Sequence, residues 1–133
     1  MRIEVVAGAL FDALGRVLIA QRPPGKHMAG RWEFPGGKIA AGESDAQALA
    51  RELREELGVE LLEHAPLMTL VHRYPDREVE LHLHEVTRFA GAPRGLDGQA
   101  LKWVALAGLD GEDLLEADRP FVEALQRRGP PAR

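Results

Sequence analysis

The stretch GGKIAAGESDAQALARELREELGV, residues 36–59, joins a glycine-rich loop to a segment with helical periodicity. Ser44 followed three residues later by Gln47 is typical of a capping box, and Gly58 stands where a helix commonly ends. These signals predict a helix over residues 45–57. This loop and helix contain several glycines and many charged residues close together, so they are the first candidates for a functional site.

The predicted helix has one apolar side and one acidic side. At about 100° per residue, a single arc of the helix holds Ala46, Leu49, Ala50, Leu53 and Leu57. The neighbouring arc carries Glu52, Glu55 and Glu56. Glu52 and Glu56 are like charges four residues apart, which lowers helix stability, whereas Arg51 and Glu55 form a favourable pair at that spacing. The cluster is either a solvated face or a site for a hard divalent cation such as Mg²⁺, which takes oxygen ligands and bridges carboxylates to phosphates.

Length and composition limit the classes of function. A chain of 133 residues and 14.6 kDa predicts a single domain over residues 1–133, with 129–133 as a frayed tail. The formal charge of −4 is spread along the chain, so no basic stripe is available for long nucleic acid. Cysteine is absent, which excludes disulfides and thiol catalysis. No segment resembles a leader or a membrane span, so we expect a cytoplasmic protein without an obligate protein partner.

Periodicity and turn residues predict the remaining elements. Strands are expected at residues 3–11, 16–21, 67–73, 78–89 and 101–104, and a second helix at 119–128. Turn residues at 12–15 predict that the first two strands form a hairpin, and 74–77 predict another turn. Asp118 is placed to cap the second helix, with Pro120 in its first turn. This element order indicates an α/β or α+β fold.

Aromatic and histidine residues add candidates for a site. Trp32 and Phe34 alternate around Glu33, so one ring can face the core, which we predict for Trp32, while the other lines a site. His82 and His84 share one face of a predicted strand. With no cysteine or third histidine nearby, we interpret this pair as part of a polar face partly covered by neighbours rather than as a two-histidine metal site.

The spacing within the glycine loop and helix matches a known family. The pattern consists of Gly37, Glu43, Arg51, Glu52, Leu53, Glu55, Glu56, Gly58 and Val59. It reproduces the Nudix box at every specified position, so the chain is identified by resemblance as a Nudix hydrolase. The resemblance implies a divalent-metal-dependent enzyme that hydrolyses a nucleoside diphosphate linked to another moiety, and an α/β/α sandwich around a mixed β-sheet.

Segments outside the box are similar to the MutT branch, the 8-oxo-dGTP diphosphatases. They are HMAGRWEFPGGKI, the YPDR turn, the GAPRGLDGQ loop and the ADRP segment before the last helix. The resemblance implies hydrolysis of 8-oxo-dGTP to 8-oxo-dGMP and pyrophosphate, a reaction that cleans the nucleotide pool and avoids mutation. The implied cofactor is Mg²⁺, with Mn²⁺ as a possible substitute.

The same resemblance assigns roles to individual positions. It implies that the nucleotide is bound by Arg22, His27, Phe34, Arg77 and Asp118. It implies that metal is held by the main chain at Gly36 and by Glu52, Glu55, Glu56 and Asp97. Catalysis is expected from Glu52 as the base, oriented by Arg51, with Glu55 beside it. Arg77 is equally well explained as a solvated turn residue, and Asp97 replaces a glutamate of the pattern, keeping its charge but losing reach.

Asp118 departs from the MutT pattern, which has asparagine there. An asparagine amide can donate to O6 of 8-oxoguanine and accept from its N7–H, whereas an ionised aspartate would repel O6 unless burial keeps it protonated. An aspartate can also accept from the N4 amino group of cytosine. The sequence also resembles the cytidine triphosphate pyrophosphohydrolases, so CTP or modified dCTP is the alternative substrate, and a plain helix cap is the third explanation of Asp118.

A non-catalytic Nudix module that senses a nucleotide is the alternative of another class. Such modules lose a box glutamate or carry a DNA-binding domain, and here every box residue is present. An enzyme for ADP-ribose or dinucleoside polyphosphates stays open on the box alone. The sequence leaves undecided the number of metal ions, the oligomeric state and which carboxylate is the base.

Overall fold

The computed structural model describes residues 2–131 and contains seven β-strands and two α-helices within that range. The strands are β1 (Arg2–Leu10), β2 (Val17–Gln21), β3 (Trp32–Glu33), β4 (Gly36–Lys38), β5 (Glu60–Tyr74), β6 (Arg77–Ala90) and β7 (Leu101–Val104). The helices are α1 (Asp45–Leu57) and α2 (Arg119–Arg128). Among residues 2–131, no helix is long and apolar enough to cross a membrane.

The strands form two sheets. The larger sheet has the order β4-β1-β6-β5, with β1 parallel to β6 and the other pairs antiparallel; the smaller sheet has the order β3-β2-β7 and is antiparallel. The predicted hairpin between the first two strands is therefore wrong. Both edges of β1 are occupied, by β4 and β6, and a single bridge between Phe11 and Val17 is what joins its end to β2.

Strand β1 divides the hydrophobic core into two parts because its successive side chains point to opposite faces. Val6 and Leu10 pack in the cluster that contains the buried residues of α1, whereas Ala7 and Ala9 pack in the cluster that contains those of α2. One helix thus covers each face of the mixed sheet. The α/β/α sandwich implied by the resemblance is confirmed.

Helix α1 has the predicted bounds because its ends are set by local interactions. The Ser44 hydroxyl accepts from the Gln47 N–H at 3.1 Å and the Gln47 side chain accepts from the Ser44 N–H at 2.9 Å. Gly58 ends the helix in the left-handed region at φ 71°. The buried face consists of Ala48, Leu49, Leu53 and Leu57. Ala48 takes the buried position expected for Ala46 and Ala50, which are only half-buried.

The long hairpin of β5 and β6 turns at Pro75 and Asp76, as predicted. Strand β5 begins at Glu60, seven residues before the predicted start, and its pairing with β6 shifts register at several points. Those irregularities interrupt the alternation of side chains on which the prediction depended. The observed β7 and α2 have the predicted bounds, and β6 extends one residue beyond each end of its prediction.

Candidate active site

A cleft of about 330 Å³ opens on the face of β1 and β6 that also packs against the α2 core. Both sheets contribute to its walls, together with the loop after β6 and the segment before α2. Among the residues predicted to form a site, six line this cleft: Arg22, Phe34, Gly36, Glu56, Asp97 and Asp118. The fold therefore brings residues from distant parts of the sequence to one place.

Arg22 is held in the cleft by two partners. Its Nη1 donates to both carboxylate oxygens of Glu33, at 3.0 and 3.2 Å, and its Nε donates to the His27 carbonyl at 2.6 Å. Burial raises the pKa of Glu33, against the effect of the Arg22 charge, which lowers it. Glu33 was not predicted as a site residue, although its position between Trp32 and Phe34 was a usable signal. The pair fixes the guanidinium while leaving Nη2 for a bound anion.

Asp118 is buried in the cleft wall at the N-cap position of α2, and its side chain makes no capping hydrogen bond. Its backbone is already helical, at φ −88° and ψ −10°, and its Oδ2 accepts a hydrogen bond from the Phe34 N–H at 3.2 Å. Burial raises the pKa of Asp118 to about 7, because the hydrogen bond from Phe34 only partly offsets desolvation and the charge of Glu33 adds to it. Asp118 thus occupies the predicted N-cap position, but its side chain faces the site and does not cap the helix.

Phe34 contributes to the site mainly through its backbone N–H, which binds Asp118, and little through its ring. The residue is 2% exposed, and its ring lies 6.4 Å from that of Phe121 in the α2 core. In this conformation the ring offers little surface for a purine to pack against. Trp32 is half-buried against the same core, as predicted, and the Lys102 ammonium lies 4.7 Å from its ring centroid.

Arg51 organises the acidic side of α1. Its Nε and Nη2 donate to Glu43 at 2.7 and 2.9 Å, and its Nη1 donates to Glu52 at 2.9 Å and to Glu55 at 3.3 Å. Nη2 also donates to the Lys38 carbonyl at 3.1 Å. The hydrogen bonds from Arg51 lower the pKa of Glu43 to about 2. One guanidinium thus fixes the loop, the cap region and the helix relative to one another.

The carboxylate of Glu52 packs directly on the glycine loop. A Cβ at Gly37 would lie 2.5 Å from the Glu52 carboxyl carbon, so only glycine leaves room for this side chain. Glu52 is 15% exposed, whereas Glu55 is 59% exposed. Burial, followed by a hydrogen bond with Glu52 and the charges of nearby carboxylates, raises the pKa of Glu56 to about 9. The predicted cluster of carboxylates is therefore present, and nearby positive charge does not offset its effect on the pKa of Glu56.

Asp97 is brought to the cluster by a loop that is tied to the end of α1. The Leu96 N–H donates to the Glu56 carbonyl at 3.0 Å, and the Gln99 side chain donates to the same carbonyl at 3.3 Å. Asp97 is close enough for its charge to contribute to the raised pKa of Glu56. The shorter side chain therefore still reaches the rim of the cluster, because the loop itself is anchored there.

Five predicted residues lie outside the lining of the cleft: Arg51, Glu52 and Glu55 on the acidic side of α1, and His27 and Arg77 elsewhere. His27 is exposed on the loop before β3 and contributes its carbonyl to Arg22. Arg77 lies over the ring of Tyr74, 5.1 Å from the centroid, and Tyr74 itself lines the cleft. Tyr74, Lys26 and Gln99 were missed by the sequence analysis, since nothing in their local sequence distinguishes them from ordinary loop and turn residues.

The donor set beside Gly36 suits a hard divalent cation. It consists of carboxylate oxygens from Glu52, Glu56 and the nearby Asp97. The pKa of Glu56 is raised mainly by burial and then by its hydrogen bond with Glu52 and the negative charges of Glu52, Glu33 and Asp97, so repulsion between carboxylates adds to desolvation. A cation would remove that repulsion, so the residues present fit a divalent metal ion.

The family model described as NUDIX domain matches residues 6–124. The chain belongs to the Nudix hydrolases. It is similar to the 8-oxo-dGTP diphosphatase of Escherichia coli strain K12, with 35% identity over 95% of this chain and 98% of the relative. It is also similar to the CTP pyrophosphohydrolase of the same strain, with 41% identity over 92% and 90%.

A solved structure supports the same family. A MutT from work on Aliivibrio salmonicida and Vibrio cholerae matches this chain with a TM-score of 0.85 and 36% identity, covering 96% of this chain and 99% of the other. Nudix hydrolases depend on divalent metal ions and the MutT-like members act on small nucleotides. The acidic side of α1 is the part of this Nudix domain that fits such an ion.

Proposed function

We propose that the protein hydrolyses 8-oxo-dGTP to 8-oxo-dGMP and pyrophosphate, with Mg²⁺ as its cofactor. The observation that carries the proposal is the buried carboxyl of Asp118, which shares one cleft with Glu56 at the acidic side of α1. A nucleotide lying along this cleft would have its base near Asp118 and its phosphates near α1. Relatives named 8-oxo-dGTP diphosphatase support the substrate class.

Recognition of the oxidised base would depend on the protonation of Asp118. Its pKa of about 7 keeps a large fraction of the carboxyl neutral at physiological pH. Oδ2 accepts from the Phe34 N–H, so the proton belongs on the other oxygen, from which it can donate to O6 of the purine. A neutral aspartic acid thereby provides the donor that an asparagine amide would provide. The remaining lone pair of Oδ2 is available to the N7–H that distinguishes 8-oxoguanine from guanine.

The phosphates would be held by the Arg22 guanidinium and by metal ions at the acidic side of α1. Arg22, fixed by Glu33, offers Nη2 to a phosphate oxygen. Glu52, Glu55, Glu56, Asp97 and the main chain at Gly36 are the groups proposed to hold Mg²⁺, and Mn²⁺ suits the same oxygen ligands. When bound, the metal neutralises phosphate charge and supports in-line attack by water. The protein supplies the fixed positions.

Glu52 is the proposed acceptor of the proton from the attacking water. Its carboxylate is oriented by Arg51 at 2.9 Å and by packing against Gly37, so it has little freedom to rotate. Arg51 cannot accept a proton itself, and its contacts with Glu43 and Glu55 keep it in place. Glu55, more exposed, is proposed to assist at the outer edge of the site.

Hydrolysis of CTP or modified dCTP is the second candidate. It is favoured by the ionised form of Asp118, which accepts from an exocyclic amine, and by the similarity to a CTP pyrophosphohydrolase. Both candidates share the chemistry at α1 and differ only at the base.

The test is kcat/KM by pyrophosphate release with Mg²⁺ for 8-oxo-dGTP, dGTP, CTP, dCTP, 5-hydroxy-dCTP and ADP-ribose. A preference for 8-oxo-dGTP over dGTP and over the cytidine nucleotides is expected. Preference for a cytidine nucleotide would select the second candidate, and turnover of ADP-ribose alone would reject both. Glu52→Gln serves as the inactive control, so that contaminating phosphatase activity is recognised.

A further inference from the structure

A second cluster of metal-ligand groups lies on the other face of the mixed sheet. Glu4 from β1 and Glu80 and His82 from β6 each present one ligand atom, and these three atoms all lie within 4.8 Å of one another. The parallel register places Glu4 opposite Glu80 and Val6 opposite His82, so the three side chains leave the same face of two adjacent strands.

This cluster is separate from the cleft. Val5, Val6 and Ala7 of β1 line the cleft, whereas Glu4, Glu80 and His82 do not. The side chains of Val5 and Ala7 pack with the α2 core, and the side chain of Val6 packs with the α1 core. The cluster lies on the face of the sheet that α1 covers, and it shares no residue with the carboxylates proposed to hold the catalytic metal ion. A ligand at Glu4 does not touch the residues proposed for hydrolysis.

The imidazole of His82 presents its Nε2 to the two carboxylates of the cluster. Its Nε2 is buried and has no hydrogen-bond partner among residues 2–131, although the side chain as a whole is 19% exposed. A buried polar nitrogen without a partner is rare in native structures. The nearest carboxylate oxygens are Oε1 of Glu4 at 3.7 Å and Oε1 of Glu80 at 3.8 Å. Both distances are too long for a hydrogen bond.

Those separations suit ligands around one metal ion. Two ligand atoms about 2.1 Å from zinc, at about 110–130° to each other, are about 3.4–3.8 Å apart. The other ring nitrogen of His82 contacts the Thr69 hydroxyl at 3.3 Å, the kind of outer contact that orients a metal-bound histidine. The other oxygen of Glu80 accepts from Arg2 at 3.2 Å, which leaves Oε1 directed at the cluster.

We infer that Glu4, Glu80 and His82 form a second divalent metal site, distinct from the catalytic one, that takes a Zn²⁺-like ion. The mixed set of one imidazole nitrogen and two carboxylate oxygens favours such an ion over Mg²⁺, which prefers oxygen alone. The site bridges β1 and β6. It also adjoins the segment between the glycine loop and α1, because the Glu4 carbonyl accepts from the Ile39 N–H at 2.9 Å. The bound ion would stabilise the pairing of β1 with β6.

The test is Zn²⁺ binding to the full chain while Mg²⁺ saturates the catalytic site. Calorimetry is expected to show one bound Zn²⁺ for the wild type and at least about tenfold weaker binding for His82→Ala and Thr69→Val, as for other losses of metal-orienting groups. His72→Ala, a half-buried histidine of β5 outside the cluster, is the matched control and should bind like the wild type. Zn²⁺ should also raise the Tm of the wild type and not that of His82→Ala.

Nitrogen-15 NMR of the histidine rings gives a second measurement that does not need a variant. Zn²⁺ should shift the Nε2 signal of His82 and leave that of His72 unchanged. Equal Zn²⁺ affinity in wild type and His82→Ala would overturn the proposal. So would an Nε2 of His82 that is protonated and unaffected by Zn²⁺, since the three groups would then be an imidazolium paired with two carboxylates.

Discussion

Asp118→Asn tests the protonated carboxyl on which base recognition depends. The pKa of Asp118 is raised from 3.8 to about 7. About three pKa units correspond to about 4 kcal/mol of unfolding free energy. Because the folded-state pKa is the higher one, the folded protein is favoured when the group is protonated, and stability falls as pH rises from about 4 to about 7. Asparagine keeps the acceptor for the Phe34 N–H and cannot ionise.

Urea unfolding at several pH values from 4 to 8 measures this difference. Relative to the wild type, Asp118→Asn is expected to be nearly unchanged at pH 4 and more stable by up to about 4 kcal/mol at pH 8. Comparing the two proteins cancels the contributions of Glu56 and the other acidic groups. Asp113→Asn is the control, since that side chain is 69% exposed. Parallel stability curves for wild type and Asp118→Asn would refute the reasoning.

A second test of Asp118 is kinetic and compares kcat/KM for two substrates as a ratio. With a pKa of about 7, the neutral fraction of Asp118 falls from about nine-tenths at pH 6 to about one-tenth at pH 8. Because 8-oxo-dGTP requires the neutral form and dCTP the ionised form, the ratio of kcat/KM for 8-oxo-dGTP to that for dCTP is expected to fall about a hundredfold over this range. The ratio cancels the pH dependence of the shared chemistry. In Asp118→Asn the ratio should stay level and favour 8-oxo-dGTP, and a level ratio in the wild type would contradict the assignment.

Three other substitutions test the remaining parts of the site. Glu52→Gln should lower kcat by at least about a hundredfold, the usual contribution of a general base, in pyrophosphate-release assays; near-normal turnover by a folded variant would assign the base elsewhere. Gly37→Ala should lower kcat about 10–100-fold because the added Cβ displaces the Glu52 carboxylate. Gly111→Ala is the control, since its added Cβ meets no atom within 4 Å and kcat should not change. Equal rates for the two variants would rule out the packing of Glu52 on Gly37 as a catalytic requirement. Glu33→Ala should raise KM more than it lowers kcat by freeing Arg22, and Glu33→Gln, which can still accept from the guanidinium, should recover most of the affinity; a loss confined to kcat would argue against positioning.

Elements with local determinants could be predicted from the sequence. The bounds of α1 depend on the reciprocal hydrogen bonds of Ser44 and Gln47 and on the left-handed Gly58, all within the element or next to it. The grouping of Glu52 and Glu56 follows from helical spacing alone. The resemblance to the Nudix family then supplied the sandwich architecture and the positions that reach the cleft from other segments.

Features that depend on distant partners could not be predicted in this way. Strand β1 pairs with β4 on one edge and with β6, more than seventy residues later, on the other. The hairpin with β2 was predicted wrongly because it was inferred from proximity in the sequence. Asp118 has the local sequence of a helix cap, yet its side chain binds the backbone of Phe34, 84 residues away. The partnership of Glu33 with Arg22 depends on the pairing of β2 with β3.

The side chains on the two faces of β1 belong to different cores, so substitutions on one face have little effect on the other. The side chains at odd-numbered positions, such as Val5 and Ala7, face the α2 core and the cleft, and those at even-numbered positions, such as Glu4, face the α1 side. Substitutions at odd positions can therefore retune substrate choice without disturbing the other side. A one-residue insertion in β1 would exchange the two sets, and it should abolish both sites at once where most point substitutions affect one.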